Sequence, residues 1–283
     1  MNFQDLVDYG AAVPLGPNVR RITAPNPGPL TGPGTNTYLV GHRDVVVIDP
    51  GPALEEHVQA ILDAAAQGGG AVTKIVASHT HPDHSPGAVP LAARTGAPVL
   101  GMAAPDDGKQ DVTWNPDAFL ADEDVIETSE AILDVVHTPG HASNHLCFLE
   151  RKSGLLFTGD HVMNGSTVVI LPPDGRMADY VESLRKLRTL GARAIAPGHG
   201  DVIDDPDREI DWIIEHRLER EAKVLRHLGD GDTLDTLVVR VYDDVPARIH
   251  PLAKRSLLAH LIKLRDDGRA SESDGVWQQA APR

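Results

Sequence analysis

The chain has 283 residues, enough for one large domain or two smaller ones with a buried core. Hydrophobic residues make up 41% and charged residues 24%, as in an ordinary globular protein. The single cysteine, Cys147, excludes an internal disulfide framework and a cysteine-rich metal site. The net charge of −15 disfavours binding to bulk nucleic acid or to an anionic membrane surface.

The sequence also bears on the compartment. No apolar run approaches the ~18 residues of a membrane span, and residues 1–8 lack the apolar segment of a secretory signal. A lone cysteine agrees with a reducing environment. We therefore expect a cytoplasmic protein without a membrane partner.

Strands are predicted to alternate with helices over the first two thirds of the chain. Pro and Gly are frequent in residues 14–35, which are predicted to form a loop. Helices are predicted over 53–67, 86–95 and 178–190. Short apolar runs predict strands over 38–40, 45–48, 74–77, 99–101, 125–127, 133–137, 145–149, 155–158 and 194–196. This pattern predicts sheets flanked by helices, in the α/β (α+β) class.

A domain boundary is predicted near residue 205. Asp205 suits an N-cap and Pro206 suits the first helical position. Helices over 206–228, over about 233–242 and from His250 onward, with a terminal ribbon over 269–279, predict a small winged-helix-like domain. We therefore predict a larger domain over residues 1–205 and a helical one over 206–283. Residues 1–206 carry a net charge of −13 and residues 207–283 carry −2.

The segment His79-Thr80-His81-Pro82-Asp83-His84 places four candidate metal ligands in six residues, directly after a predicted strand. Imidazole nitrogens and carboxylate oxygens are ligands that zinc accepts. Three later segments have the same form, an apolar strand followed by small residues and a ligand-type side chain. They supply His141, Asp160 and His199.

These seven side chains suffice for two metal ions. The first ion is assigned to His79, His81 and His141. The second ion is assigned to Asp83, His84 and His199. Asp160 is placed between the two ions, which makes Asp83 and Asp160 the candidate catalytic residues. Asp49, which ends another predicted strand, is expected to orient a ligand imidazole. Two zinc ions per chain are expected, and manganese or iron fits the same ligand types.

The order of these residues resembles the metallo-β-lactamase-fold superfamily over about residues 15–205. That resemblance implies a four-layer αββα sandwich and a dinuclear zinc hydrolase that uses a metal-bound hydroxide. A narrower resemblance, to the β-lactamase-like protein 2 group, implies a C-terminal winged-helix-like domain; members of that group include endoribonucleases. It is carried by residues 34–40, 160–162, 172–175, 216–221 and 250–264.

Three functions remain open at this stage. The narrower resemblance implies a phosphodiesterase, an endoribonuclease acting on single-stranded RNA. A hydrolase of small thioesters or lactones, of the glyoxalase-II-like type, suits the acidic surface better. The third alternative is a nucleic-acid-binding regulator with a structural metal site. A sequence-specific DNA partner is not expected, because the predicted second domain is not basic.

Three further residues near the motifs are candidates for other roles. His145 and His161 are predicted to be structural or to support ligands, and each is also a candidate proton donor to a leaving group. Cys147 lies among apolar residues, so a core thiol is predicted rather than a nucleophile.

Overall fold

The computed structural model describes residues 7–280 and contains two compact units. The first unit comprises the described residues up to 138, together with 144–166 and 190–206. The second unit comprises 139–143, 167–189 and the described residues from 207 onward. The simpler division into domains 1–205 and 206–283 stays a prediction. Within residues 7–280, no helix is both long enough and apolar enough to cross a bilayer.

A seven-stranded sheet opens the first unit, with its strands in chain order. Its strands are β1 (Val13–Gly16), β2 (Val19–Thr23), β3 (Asn36–Val40), β4 (Asp44–Ile48), β5 (Ala71–Val76), β6 (Val99–Gly101) and β7 (Ala118–Phe119). The pairings from β1 to β4 are antiparallel, and those from β4 to β7 are parallel. The carboxyl ends of β4 and β5 therefore lie at one edge of the sheet.

A second sheet of five strands completes the β-structure of this unit, in the order β12-β11-β10-β9-β8. Its strands are β8 (Val125–Glu127), β9 (Ile132–His137), β10 (Leu146–Glu150), β11 (Leu155–Gly159) and β12 (Ala194–Pro197). Only β11 and β12 pair in parallel, so their carboxyl ends also share an edge.

Two apolar layers hold the first unit together. Between the sheets, the Tyr38 ring lies 5.0 Å from the Phe157 ring, and both side chains are buried. On the outer face of the first sheet, helices α1 (Glu55–Ala66) and α2 (Ala88–Thr95) bury Ile61 and Leu91. Burial of each such side chain contributes roughly 1.5–3 kcal/mol to the free energy of unfolding. This packing holds the strands, and therefore the residues at their ends, in fixed positions.

The prediction of a loop over residues 14–35 is wrong for its first half, where β1 and β2 form the edge of the first sheet. Ile22 is fully buried, and the Arg20 guanidinium donates to the carbonyls of Ala64 (2.5 Å) and Gly41 (2.7 Å). Pairing with β3 satisfies the backbone of this short segment, so its strand depends on a distant neighbour and not on local propensity.

Helices dominate the second unit. Its elements are α3 (Met177–Arg188), α4 (Pro206–His227), α5 (Leu234–Val241), α6 (His250–Asp266), β13 (Ala270–Ser273) and β14 (Val276–Gln279). Val224 of α4, Leu237 of α5 and Leu257 of α6 share one core with Trp277 of β14. The three predicted C-terminal helices and the terminal ribbon are thus confirmed.

Candidate metal centre

The candidate metal ligands of the first unit, and Asp49, follow the carboxyl ends of strands. Asp49 follows β4, and residues 79–84 follow β5. Asp160 follows β11, and His199 lies two residues after β12. Because each of these strand pairs is parallel, each pair delivers its polar residues to one sheet edge.

Four of these side chains converge closely. Nε2 of His84 lies 3.3 Å from Oδ1 of Asp160 and 3.4 Å from Oδ2 of Asp83. Nε2 of His199 lies 3.2 Å from Oδ1 of Asp160 and 3.3 Å from Oδ2 of Asp83. The ligand atoms of Asp83, His84 and His199 all lie within 4.8 Å of one another, close enough to hold a metal ion.

A second group of ligand atoms adjoins the first. The ligand atoms of His79, His84 and Asp160 also lie within 4.8 Å of one another. Nε2 of His79 is 2.9 Å from Nδ1 of His81. His81 therefore lies beside this second group. Asp160 thus contacts His84, which belongs to both groups, and His199, which belongs to the first group.

His141 belongs to the second unit, in the segment 139–143. Its Nδ1 lies 2.9 Å from the backbone oxygen of Val169. An imidazole that donates from Nδ1 to a carbonyl presents Nε2 as its ligand atom. The assignment of His141 to the first ion stays a prediction.

Asp49 holds His84 in place, as expected from its position. Its Oδ2 lies 3.0 Å from Nδ1 of His84 and accepts a hydrogen bond of 2.8 Å from Oγ of Ser78. Its Oδ1 accepts a 2.5 Å hydrogen bond from the backbone nitrogen of Ser78. These contacts direct Nε2 of His84 toward Asp83 and Asp160.

Two other imidazoles have similar supports. Nδ1 of His79 lies 3.0 Å from Oγ of Ser78, and Nδ1 of His199 lies 3.1 Å from the backbone oxygen of Gly34. In both rings the supported atom is Nδ1, so Nε2 is the atom available to a metal ion.

Burial and charge act against each other in this cluster. Burial lowers the pKa of His199, but Asp160 outweighs it and raises that pKa to about 9. Burial is likewise outweighed at His84, whose pKa Asp83, Asp160 and Asp49 raise well above its ordinary value. Burial raises the pKa of both acids, but His84 brings that of Asp83, and His199 that of Asp160, below the usual range. The carboxylates therefore stay ionised and attract cations, and a divalent ion competes with the imidazole protons.

Thr35 and Asn36 support the site, and the sequence predictions missed both contacts. Oγ1 of Thr35 donates to Oδ2 of Asp83 (3.2 Å), 48 positions away in the chain. Asn36 donates from Nδ2 to the backbone oxygens of Pro197 (3.1 Å) and Gly200 (2.9 Å), on either side of His199. In the sequence, residues 34–40 stand out only as part of a family resemblance.

His145 and His161 form a buried layer behind the ligands. Both are fully buried, with ring centroids 5.5 Å apart, and the His145 ring lies 5.0 Å from that of His79. Their burial favours the structural role over that of a proton donor.

Cys147 is also fully buried, with Sγ 3.3 Å from Oγ1 of Thr138, which confirms a core thiol.

The chemistry of the donors agrees with a transition metal. The converging atoms are imidazole nitrogens and carboxylate oxygens, which suit zinc and also manganese or iron. A cation at this position would offset the repulsion between the partly buried carboxylates of Asp83 and Asp160.

Comparisons with known proteins agree with the fold. The family model of the metallo-beta-lactamase superfamily matches residues 30–199, and that of the beta-lactamase associated winged helix domain matches residues 233–277. A crystal structure of a metallo-beta-lactamase family protein from Thermus thermophilus superposes with a TM-score of 0.76 and 23% identity. It covers 94% of this chain and 100% of its own. The predicted αββα fold with a C-terminal winged-helix domain is confirmed.

Curated relatives extend over most of the chain. A beta-lactamase-like protein 2 homolog from Caenorhabditis elegans is 31% identical over 88% of this chain and 85% of its own length. An atrochrysone carboxyl ACP thioesterase from Aspergillus fumigatus is 30% identical over 83% of this chain and 76% of its own. Together with the His/Asp clusters, these matches show that the chain belongs to the metallo-β-lactamase superfamily and is a metal-dependent hydrolase with a winged-helix domain.

Proposed function

We propose that the chain is a dinuclear zinc hydrolase whose substrates are thioesters. The observation that carries the metal proposal is the position of Asp160, whose carboxylate lies among the ligand atoms of two adjacent groups. One group contains His79, with His81 beside it, and the other contains Asp83 and His199. His141 completes the first group in this proposal.

The bound ions would supply Lewis-acid polarisation of a carbonyl oxygen and acidify a water molecule. The chain contributes the fixed geometry for that chemistry. Asp49 holds His84 through Nδ1, and Thr35 holds Asp83 through Oδ2. Because both supporting groups are buried, the ligands keep their positions without reorganisation during a reaction.

Two observations favour thioesters over RNA. A thioesterase is among the relatives that match most of the chain at about 30% identity. The net charge of −15 also opposes the approach of a polyanion, whereas a small thioester meets little long-range repulsion.

Single-stranded RNA is the second candidate substrate, favoured by the winged-helix match over residues 233–277. Two of the bases on α6 argue against it. Nζ of Lys254 lies 2.6 Å from Asp235, and Nζ of Lys263 lies 2.9 Å from Glu221. Bases already paired with acids contribute little to phosphate binding, and this also weighs against a nucleic-acid-binding regulator.

A substrate panel on one preparation of known metal content tests the proposal. The panel contains an aromatic acyl thioester, a lactone, an unstructured RNA oligonucleotide and a phosphodiester reporter. Elemental analysis for zinc, manganese and iron should give close to two ions per chain, and the thioester should have the highest kcat/KM.

Asp160→Asn should lower both metal content and thioester turnover by orders of magnitude. RNA cleavage that exceeds thioester turnover makes the endoribonuclease the correct assignment. A metal-supplemented preparation that contains no transition metal overturns the proposal.

A further inference from the structure

A cavity of about 300 Å³ lies entirely within the second unit, between the loop that precedes α3 and the helices α4 and α6. Its apolar lining is formed by Val168, Val169, Tyr242, Val245, Ile249 and Leu252. Ile249 and Leu252 are 39% and 37% exposed, so apolar surface remains accessible at the cavity. A volume of this size is at the small end of ligand sites, which span about 300–1,000 Å³.

Arg217 brings a positive charge to this lining. It is only 5% exposed, and its guanidinium donates to the backbone oxygen of Val168. The guanidinium carbon lies 5.4 Å from the centre of the Tyr180 ring. Its Nε has no hydrogen-bond partner, and no carboxylate within residues 7–280 forms an ion pair with it. A buried cation without an anion is costly, and an anionic ligand removes that cost.

Arg220, on the same helix, differs from Arg217 because it has an acid partner. Arg220 also lines the cavity, but both terminal nitrogens contact the carboxylate of Asp244, at 2.8 and 2.7 Å. Burial, followed by Arg217 and Arg220, lowers the pKa of His216, another lining residue. The lining therefore holds two arginines and one acid, Asp244, although the chain as a whole is acidic.

The cavity adjoins a predicted metal ligand. Val168, which accepts from Arg217, is followed in the chain by Val169, whose backbone oxygen lies 2.9 Å from Nδ1 of His141. Val169 is therefore part of the cavity wall and also supports His141. A group bound here lies next to the segment that carries His141.

We infer that this cavity binds an apolar carboxylate, with the carboxylate group paired to Arg217. The apolar wall accommodates the body of such a ligand, and the planar guanidinium suits a carboxylate.

Binding of a carboxylate probe tests this inference. The metal-loaded full chain is titrated with 2-naphthoate and with 2-naphthamide, which has the same shape without the charge, by isothermal calorimetry. Naphthoate should bind at least about tenfold more tightly, as expected for one charge-assisted pair. This result is independent of whether the chain hydrolyses thioesters.

Three variants locate the bound probe. Arg217→Met should weaken naphthoate binding about tenfold and leave naphthamide unchanged, whereas Arg217→Lys should keep a preference for the carboxylate. Leu252→Trp, which fills the cavity from α6, should weaken both probes. Arg226→Met, an exposed change on the same helix α4, is the matched control and should alter neither.

Naphthoate could instead bind at the metal centre. In that case neither Arg217→Met nor Leu252→Trp changes its affinity, and the inference is overturned. Equal affinity for naphthoate and naphthamide in the wild-type chain overturns it as well. If Arg217→Met does not fold, Leu252→Trp still decides between the cavity and the metal centre, because it weakens binding only of a probe that occupies the cavity.

Discussion

Oδ2 of Asp49 lies 3.0 Å from Nδ1 of His84, and both residues are buried. Asp49 reaches this position with a backbone φ of 52°, in the left-handed region that L residues other than Asn and Asp rarely adopt. The same carboxylate accepts two hydrogen bonds from Ser78. The end of β4 is thereby connected to the candidate ligands that follow β5.

Replacing Asp49 with asparagine tests this connection without adding backbone strain, since asparagine tolerates the left-handed region. The amide cannot accept all the hydrogen bonds that the carboxylate accepts, so His84 loses its orientation. We expect Asp49→Asn to lower metal affinity by about 10–100-fold, measured by competition with a chelator. Asp63→Asn on α1 is the exposed control and should bind metal like the wild type. Equal affinities in both variants would contradict the role of Asp49.

Gly198 allows the close approach of the ligands. A Cβ at this position would lie 2.7 Å from Oδ1 of Asp160 and 2.8 Å from Cε1 of His84. Gly198→Ala should therefore displace both ligands, lower metal content and destabilise the fold by about 1–3 kcal/mol. Gly16→Ala is the matched control, because a Cβ there meets no atom within 4 Å. Full metal content in Gly198→Ala, measured by elemental analysis, would refute this packing argument.

His57 should make stability depend on pH. Burial lowers its pKa from the ordinary 6.5 to about 4, and its Nε2 lies 2.7 Å from Oγ1 of Thr37. Between these values the unfolded chain takes up a proton that the folded chain does not, so stability falls as the pH falls. The contribution is fully present above pH 6.5, and by pH 5 about 2 kcal/mol of it is lost.

Urea unfolding at pH 7 and pH 5 measures this loss. His57→Gln, which keeps a polar side chain near Thr37 but does not titrate, should lose about 2 kcal/mol less than the wild type over this interval. His227→Gln, an exposed change on α4, should behave as the wild type does. An identical loss in His57→Gln and the wild type would show that His57 does not titrate in this way.

Cys147→Ser should retain turnover within about twofold, because a fully buried thiol in the core cannot contact substrate. The serine hydroxyl can still contact Oγ1 of Thr138, now 3.3 Å from the sulfur. A stability cost of roughly 1–3 kcal/mol is expected from burying a more polar group. Lost turnover with the fold and metal content intact would point to a thiol mechanism.

The kind of chemistry was predictable from the sequence, because ligand type is a property of the side chain. Residues 79–84 carry three imidazoles and a carboxylate, and Asp160 and His199 each follow an apolar strand. The helices α4 to α6 were predictable for a similar reason, since apolar periodicity and the Asp205-Pro206 start signal are local.

Only the tertiary structure decided which residues support the ligands. Thr35 reaches Asp83, and Gly34 reaches His199, because β3 lies in the first sheet and brings its preceding loop to the candidate site. The unpaired state of Arg217 likewise depends on where its neighbours fold, since Arg220 on the same helix has an acid partner. Contacts between residues far apart in the chain follow from strand pairing and helix packing, and no local pattern encodes them.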